Sequence, residues 1–347
     1  HRLAGWRRFV LRKTLRFLSV IEIYSRPLRA SRAFLSLSIF QAGDPGRKRG
    51  GMPKAIKLTL ARLYEILRRQ DPPQWGKQYD PAIRATREEA PSRSRPAQVW
   101  SERLDRYCHT LSLVEQKVLL LALFNLLLFE LQEQRMLATE SKPHPLAGHS
   151  LATGLELPGL RGTIDVCERL DMIDRLPWIF IDHPDGIERV PVPAPFIGDF
   201  LLFLTDDHGP YCVNWTVKAS DEEFQRGPLG RRPARRAEVQ EAAVRARHAI
   251  EERYYLDAGI PTVRIVDSDI PELFAQNLRS LILVQHRAAG VDASIYEEVC
   301  DRLRASLQTE QPPLEILLSI VHRYDLDMET AKALFFRALW RRDVRPE

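Results

Sequence analysis

The chain has 347 residues, of which 44% are apolar and 28% are charged, and its formal net charge is +5. This composition is typical of a globular protein, long enough for one large domain or two of ordinary size. Its four cysteines are widely separated and form no CxxC pair, so neither a disulfide framework nor a zinc site is indicated, and a reducing cytoplasm fits. The longest apolar run, residues 118–129, is too short to span a bilayer.

The positive charge is concentrated in residues 1–51, a basic extension with ten Arg and two Lys against two acidic residues. The remainder holds 39 basic and 44 acidic residues, a balance of −5. The extension has the Arg- and Ser-rich composition of a transit peptide, or of a basic arm that binds nucleic acid. A third interpretation, which we favour, is that it is not native protein, because "GRKRGG" before Met52 is what a purine-rich ribosome-binding site gives when translated. We therefore expect Met52 to be the initiator.

Residues 52–110 form a predicted N-terminal segment. The stretch "AIKLTLARLYEILRR" has apolar residues at helical spacing and predicts a short amphipathic helix. Residues 71–98 hold five prolines and few aliphatic side chains, so they predict an irregular arm.

Residues 111–283 form the predicted core domain. An apolar helix is predicted over 112–129, with Ser112 as its N-cap and Glu115 three residues later as in a capping box. The strand candidate "LFELQEQRML" follows. The section 138–195 is predicted to mix loops with a short helix near Gly162–Asp171.

Two β-rich runs over residues 199–218, separated by "TDDHGP", predict a hairpin that opens with Asp199 and closes with Lys218. A long charged helix from about residue 233, stopped by Gly259, the strand "IPTVRIVD" and the helix "IPELFAQNLRSLILVQHR" come next. This alternation predicts an α/β fold. Residues 284–347 predict a small all-α domain whose last two helices, joined by "RYDLD", form a helix-turn-helix-like pair.

Asp199 and Lys218 are predicted to meet at adjacent strand ends. Metal-dependent phosphodiester hydrolysis needs hard oxygen ligands for Mg²⁺, an activated water and a group that offsets developing negative charge. Glu115 and Glu251, on two helices, are available as further carboxylates. Each residue also has a structural interpretation: charges at strand ends are usually solvated, Glu115 can serve the capping box, and Glu251 can be a charge on an exposed helix face.

The order of these segments resembles the TnsA family, the endonuclease subunits of heteromeric transposases. The similarity runs from near Met52 to the C-terminus. It rests on "GKQYDP", "LSLVEQKVLLLALF", "LQEQRML", "GDFLLF", "WTVKAS" and "IEERYYLDAGIPTVRIVD", of which the last two are the most specific. The resemblance implies a restriction-endonuclease-like, PD-(D/E)XK-type core with a mixed sheet.

By position, the resemblance implies a catalytic set of Glu115, Asp199 and Lys218, with Glu251 at an additional acidic position. Asp199, Glu115 and the backbone carbonyl of Val217 would ligate Mg²⁺, for which Mn²⁺ is expected to substitute, and Lys218 would polarise the water or the scissile phosphate. The implied activity is hydrolysis of the 5′ side of transposon ends in double-stranded DNA. The implied partners are a DDE-type transposase, TnsB, and an AAA+ ATPase regulator, TnsC, in the bacterial cytoplasm at the nucleoid.

The sequence departs from the family pattern at Thr216, where the family has Gln, and at Ala219, where it has Pro. The stretch between Glu115 and Asp199 is also longer than expected, so Glu133 is a second candidate for the first carboxylate. Two alternative functions follow: a degenerate, non-cleaving scaffold between transposase and ATPase, and a free-standing restriction or repair nuclease of the same fold.

Three further segments have two interpretations each. The basic loop "RGPLGRRPARR" contacts phosphates or is simply solvated. Trp75 and Tyr79 anchor the arm on the transposase partner or pin it to its own core. The C-terminal pair binds the ATPase, as the resemblance implies, or reads DNA through Arg337, Arg341 and Arg342.

Overall fold

The computed structural model describes residues 59–92, 94–182, 189–226, 234–288, 290–309 and 311–345. The basic extension 1–51 and most of the basic loop, residues 227–233, lie outside the described residues. The chain divides into two compact units, and Ile56–Arg279 forms the larger one. Its end lies close to the predicted domain limit at 283.

The elements of the chain up to that limit are, in order, α1 (Leu60–Gln70), β1 (Ala97–Ser101), β2 (Arg106–Thr110), α2 (Leu113–Leu123), β3 (Leu128–Glu133), β4 (Met136–Leu137), α3 (Thr163–Arg169), β5 (Trp178–Asp182), β6 (Arg189–Pro193), β7 (Phe196–Ile197), β8 (Phe200–Asp206), β9 (Gly209–Lys218), α4 (Glu223–Arg226), α5 (Ala234–Leu256), β10 (Thr262–Val266) and α6 (Glu272–Val284).

A four-stranded mixed sheet with the order β10-β9-β8-β3 forms the centre of this unit. β8 pairs antiparallel with both β3 and β9, whereas β10 pairs parallel with β9. The run Phe200–Leu204 is buried throughout, as expected for a strand covered on both faces. Leu201 and Phe203 pack with Tyr254 and Ile250 of α5. The predicted α/β class, the mixed sheet and the 199–218 hairpin are confirmed.

The first core helix is shorter than predicted. α2 begins after Ser112, whose Oγ accepts a hydrogen bond from the Glu115 amide at 3.1 Å, but it ends at Leu123 rather than at residue 129. The Asn125 side chain accepts from the Leu127 amide at 3.1 Å and turns the chain, and Leu128 then pairs with Leu204 of β8. The apolar run thus belongs partly to a buried helix and partly to a buried strand. Both are apolar on all sides, so the hydrophobic pattern does not show where the helix ends and the strand begins.

The predicted strand over residues 128–137 is broken in two. Gln134 adopts a positive φ of 48°, so β3 ends at Glu133 and the short β4 pairs instead with β7. At the break, the Gln134 amide donates to the Asp199 carbonyl at 2.9 Å, and the Gly198 amide donates to the Arg135 carbonyl at 2.8 Å. The break therefore ties the end of β3 to the chain just before β8.

Two hairpins were not predicted: the first begins at Ala97, at the end of the predicted irregular arm, and the second lies in the section 138–195. β1 pairs with β2, and β5 pairs with β6, both antiparallel. Each sheet has only two strands, so the prolines of β6, Pro191 and Pro193, lie on an edge, where the missing N–H is tolerated. The predicted helix near residues 162–171 is confirmed as α3. Gly162 precedes it with φ 93°, and a Cβ there would lie 2.5 Å from the Glu140 carbonyl carbon.

The N-terminal arm is fixed to the core of its own unit. The Tyr79 hydroxyl donates to the Glu133 carbonyl at 2.7 Å, and the Trp75 and Phe203 rings are 5.0 Å apart at their centroids. Of the two interpretations of Trp75 and Tyr79, the structure favours the one in which they pin the arm to the core.

The second unit includes Ser280–Glu347 and is helical. Helices α7 (Ala293–Thr309), α8 (Pro313–Tyr324) and α9 (Met328–Arg341) pack around Leu303 and Leu334. The predicted pair is α8 and α9, joined through Asp325 in a left-handed conformation. The guanidinium groups of Arg337 and Arg341 lie 5.6 and 5.8 Å from the centre of the Tyr296 ring. Among the described residues, no helix has both the length and the apolar character needed to cross a membrane.

The ion pair between Arg106 and Glu133 should contribute strongly to stability. Glu133 is fully buried and accepts from Arg106 at 2.8 and 2.9 Å and from the His109 amide at 2.9 Å. Glu133→Gln removes the close ion pair of the buried guanidinium and leaves it only Glu130, 3.8 Å away, so it is expected to lower the free energy of unfolding by about 3–5 kcal/mol in denaturant titrations. The control, Asp301→Asn, breaks an exposed pair with Arg304 and should cost about 0–1 kcal/mol. Equal effects of the two substitutions would contradict this assignment.

Candidate active site

Asp199 lies immediately before β8, where two neighbouring strands bring their ends together. Phe200 is paired with Trp215, so the Asp199 side chain reaches the last residues of β9. Its Oδ2 accepts from the Val217 amide at 2.7 Å and from the Thr216 hydroxyl at 3.3 Å. The side chain is 17% exposed. Asp199 is thus held by the backbone of the next strand, with one carboxylate edge towards solvent.

Lys218 is the last residue of β9 and meets Asp199, as its position in the sequence predicts. Its Nζ lies 3.7 Å from Asp199 Oδ2 and donates to the Val217 carbonyl at 2.9 Å. The ammonium group therefore contacts both a carboxylate and a carbonyl oxygen that the sequence resemblance implies as metal ligands.

Glu115 takes part in the helix cap and in the site together. Its carboxylate accepts from the Ser112 hydroxyl at 2.9 Å, from the Leu111 amide at 2.8 Å and from Gln134 Nε2 at 3.1 Å. Burial and the charge of Asp199 raise the pKa of Glu115 to about 7, although Lys218 acts in the opposite direction. The two carboxylates are close enough that ionising one disfavours ionising the other.

Gln134 connects these two carboxylate-bearing segments. Its side chain donates to Glu115 and its backbone amide donates to the Asp199 carbonyl. Sequence reasoning did not single out Gln134 as a site residue. The sequence shows the "EQ" pair of its strand. It does not show that Gln134 adopts a positive φ, which turns the side chain towards Glu115.

Glu251 lies next to the site on α5, but its oxygens are already engaged. It is 2% exposed, accepts from Asn214 Nδ2 at 3.1 Å and pairs with Arg247 at 3.3 Å. Burial is the main cause that raises its pKa, with a smaller contribution from Asp199.

Glu133, the fallback for Glu115, does not belong to this group. Its carboxylate is engaged with Arg106 and the His109 amide. Glu115 is the residue that interacts with Asp199 and Lys218. The structure thus places the Glu133 carboxylate at Arg106 and His109 of β2 rather than beside Asp199 and Lys218.

A cavity of about 430 Å³ opens beside the site. Its lining includes Glu115, Val217, Lys218, Arg247 and His248. His248 is not among the site residues that the sequence predicts, and its one signal is its place on α5, one turn before Glu251. The His248 side chain is buried and its Nδ1 has no hydrogen-bond partner in the described part of the chain. Burial, together with the charge of Lys218, lowers its pKa to about 3, so the imidazole is neutral near pH 7.

The donor set of this site is oxygen-rich but small. Within the described ranges, no three His, Cys, Asp or Glu side chains group closely enough to hold a metal ion. Two carboxylates, of Asp199 and Glu115, and the Val217 carbonyl remain. These are hard oxygen donors, and Mg²⁺ in proteins commonly uses one or two carboxylates and keeps several waters. The residues present therefore fit a magnesium ion.

The sequence matches no protein-family model and no curated protein.

The raised pKa of Glu115 predicts a specific pH dependence of stability. Its ordinary pKa is 4.5, so the folded chain retains this proton more firmly than the unfolded chain between pH 4.5 and about 7. The resulting stabilisation is complete below pH 4.5 and is lost as the pH rises through 7. Relative to wild type, Glu115→Gln should therefore gain about 1–3 kcal/mol of unfolding free energy between pH 5 and pH 8.

Denaturant titrations at the two pH values check this. Asp199→Asn should reduce the pH dependence in part, because the Asp199 charge is the second cause of the raised pKa. Stability curves of wild type and Glu115→Gln that stay parallel from pH 5 to pH 8 would contradict the assignment.

Proposed function

We propose that this protein is a metal-dependent DNA endonuclease of the TnsA type, with a restriction-endonuclease-like core. The observation that carries the proposal is the meeting of Asp199 and Lys218 at adjacent strand ends, 3.7 Å apart, with the Glu115 carboxylate in electrostatic contact. A carboxylate pair beside an ammonium group, next to an open cavity lined by Glu115, Val217 and Lys218, supplies what phosphodiester hydrolysis requires.

Asp199, Glu115 and the Val217 carbonyl would hold Mg²⁺ or Mn²⁺, which as a Lewis acid would activate a water molecule and offset the charge of the phosphate. Glu115 would release its proton when the metal ion binds, because the positive charge of the ion would outweigh the repulsion between the Glu115 and Asp199 carboxylates. Lys218, which now donates to the Val217 carbonyl, would turn its ammonium group to the phosphate or the attacking water. Thr216 donates to Asp199, so the residue that replaces the family's Gln still orients this carboxylate.

The charge distribution supports a subunit that partners bring to DNA. Residues 52–347 carry 39 basic and 44 acidic side chains, so this part of the chain lacks the strong positive field of an autonomous DNA-binding protein. In the proposed function the chain hydrolyses the 5′ side of transposon ends, together with a TnsB-type transposase and a TnsC-type ATPase.

A non-cleaving scaffold is the second candidate function. The observation in its favour is that Arg247 and Asn214 engage Glu251, which leaves two carboxylates rather than three for a metal ion. Both functions would use the same partners, so they differ in whether the assembled complex cuts DNA.

A nicking assay tests the proposal. The purified protein is combined with its companion transposase and transposon-end DNA, in Mg²⁺ or in EDTA. Wild type should nick the 5′ strand only with Mg²⁺, and Asp199→Ala and Lys218→Ala should each slow nicking by about 100-fold or more, because each removes a group that acts on the reacting phosphate.

The matched control is Asp206→Ala, at the other end of β8, which should nick at the wild-type rate. Cleavage of unrelated DNA by the protein alone would favour a free-standing nuclease. An intact complex in which wild type does not nick would favour the scaffold.

A further inference from the structure

Helix α5 borders the candidate active site with one face. Val244, Arg247 and His248 line the cavity of about 430 Å³, and Glu251 follows one turn later on the same helix. Residues three and four apart lie on one side of a helix. His248 has a low pKa that keeps its imidazole neutral near pH 7, so the positive charge on this face comes from Arg247.

Two acceptors hold the Arg247 guanidinium in place. It donates to Glu251 at 3.3 Å and to the Ile197 carbonyl, and it lies 5.8 Å from the centre of the Phe196 ring. The Glu251 side chain is 2% exposed, whereas the Arg247 side chain is 30% exposed. Arg247 is therefore anchored from the protein interior while part of its side chain remains in contact with solvent.

Arg247 keeps hydrogen-bond donors for a further partner. A guanidinium has five N–H groups, and the two hydrogen bonds to described residues use two of them. Its Nε forms no hydrogen bond with a described residue and is not a buried atom. An oriented cation with unused donors thus faces the cavity of the candidate active site.

Arg247 lies near the proposed metal position but not at it. Lys218 Nζ is 3.7 Å from Asp199 Oδ2. Arg247, by contrast, makes no ion pair with that carboxylate or with Glu115 among the described residues. Burial raises the pKa of Glu251, and the charges of Arg247 and Lys218 both act against this rise. The two cations therefore lie close to one another, with Arg247 farther from the ligands of the metal ion.

Two carboxylates line the same cavity, those of Glu115 and Glu223. In the proposed function Glu115 ligates the metal ion, whose charge offsets its own. Glu223 accepts from the Ala219 amide at 3.3 Å, at the start of the short helix α4. Neither carboxylate forms an ion pair with Arg247 in the described part of the chain, so neither uses the remaining donors of the guanidinium.

Taking the proposed nuclease function as the basis, we propose that Arg247 binds the DNA phosphate next to the scissile one, so that the cavity holds two successive phosphates of one strand. The scissile phosphate would lie at Asp199, Glu115 and Lys218. An arginine suits the neighbouring phosphate because its N–H groups form a planar fork that matches phosphate oxygens. Glu251 is then a positioning residue, which fixes the guanidinium.

Titration calorimetry of the full chain in Mg²⁺ tests this role without cleavage. Thymidine 3′,5′-bisphosphate carries two phosphates on one nucleoside, like successive phosphates of a DNA strand, and thymidine 5′-monophosphate carries one. Wild type should bind the bisphosphate at least about tenfold more tightly, because its second phosphate gains a charge-assisted hydrogen bond from Arg247. Arg247→Met should bind the two nucleotides with equal affinity.

Further variants separate this role from an effect on folding. Arg247→Met leaves the buried Glu251 without its cation, so a double variant, Arg247→Met with Glu251→Gln, removes both charges and should also bind the two nucleotides equally. Arg247→Lys keeps the charge but not the fork, and should keep only part of the difference.

The matched control is Arg245→Met, on the same helix. Arg245 also pairs with a glutamate four residues away, Glu241, but it is exposed and is not part of the cavity lining. This variant should prefer the bisphosphate as strongly as wild type does.

A wild-type protein that does not bind the bisphosphate more tightly than the monophosphate would overturn the role of Arg247, as would a full preference retained by Arg247→Met and by the double variant. Either result would leave the nuclease standing if the assembled complex nicks DNA. Failure of that complex to nick would contradict the nuclease, whereas the calorimetry would still report on Arg247, because it needs no cleavage.

Discussion

The candidate site depends on one hydrogen bond, from the Val217 amide to the Asp199 carboxylate at 2.7 Å. It fixes an acidic side chain at the start of β8 against the end of β9. The pairing of these strands places Lys218 beside that carboxylate, and the Gln134 amide holds the Asp199 backbone from the other side. A register shift of one residue would turn both side chains away from each other. β8 pairs with β3 on one edge and with β9 on the other, and this double pairing secures the register on which the site depends.

Charge is distributed unevenly around the sheet. In the candidate site two carboxylates share one ammonium group, and the excess negative charge is relieved by the raised pKa of Glu115. Arg106 pairs with the buried Glu133 at 2.8 Å and lies 3.8 Å from the buried Glu130, which suits a structural role for this group.

The features that the sequence predicts are those determined by residues close together along the chain. The hairpin with Asp199 and Lys218 at its ends, the capping role of Glu115 and the last two helices follow from turn residues, strand composition and helix caps. Other features depend on contacts distant in sequence. The end of α2 is decided by the pairing of Leu128 with β8, inside a uniformly apolar run. The edge position of β6 allows its prolines. The positive φ of Gln134, which separates β3 from β4 and directs its side chain towards Glu115, has no local signal.

The central claim is that Asp199, Glu115 and the Val217 carbonyl hold a divalent cation in place of the Lys218 ammonium group. A crystal structure of the protein soaked with Mn²⁺, with anomalous data to locate the ion, tests it most directly. The account predicts an anomalous peak within ligand distance of both carboxylates and that carbonyl, with Lys218 Nζ displaced from the carbonyl oxygen. A fully soaked crystal with no peak there, and with Lys218 still bonded to Val217, would contradict it.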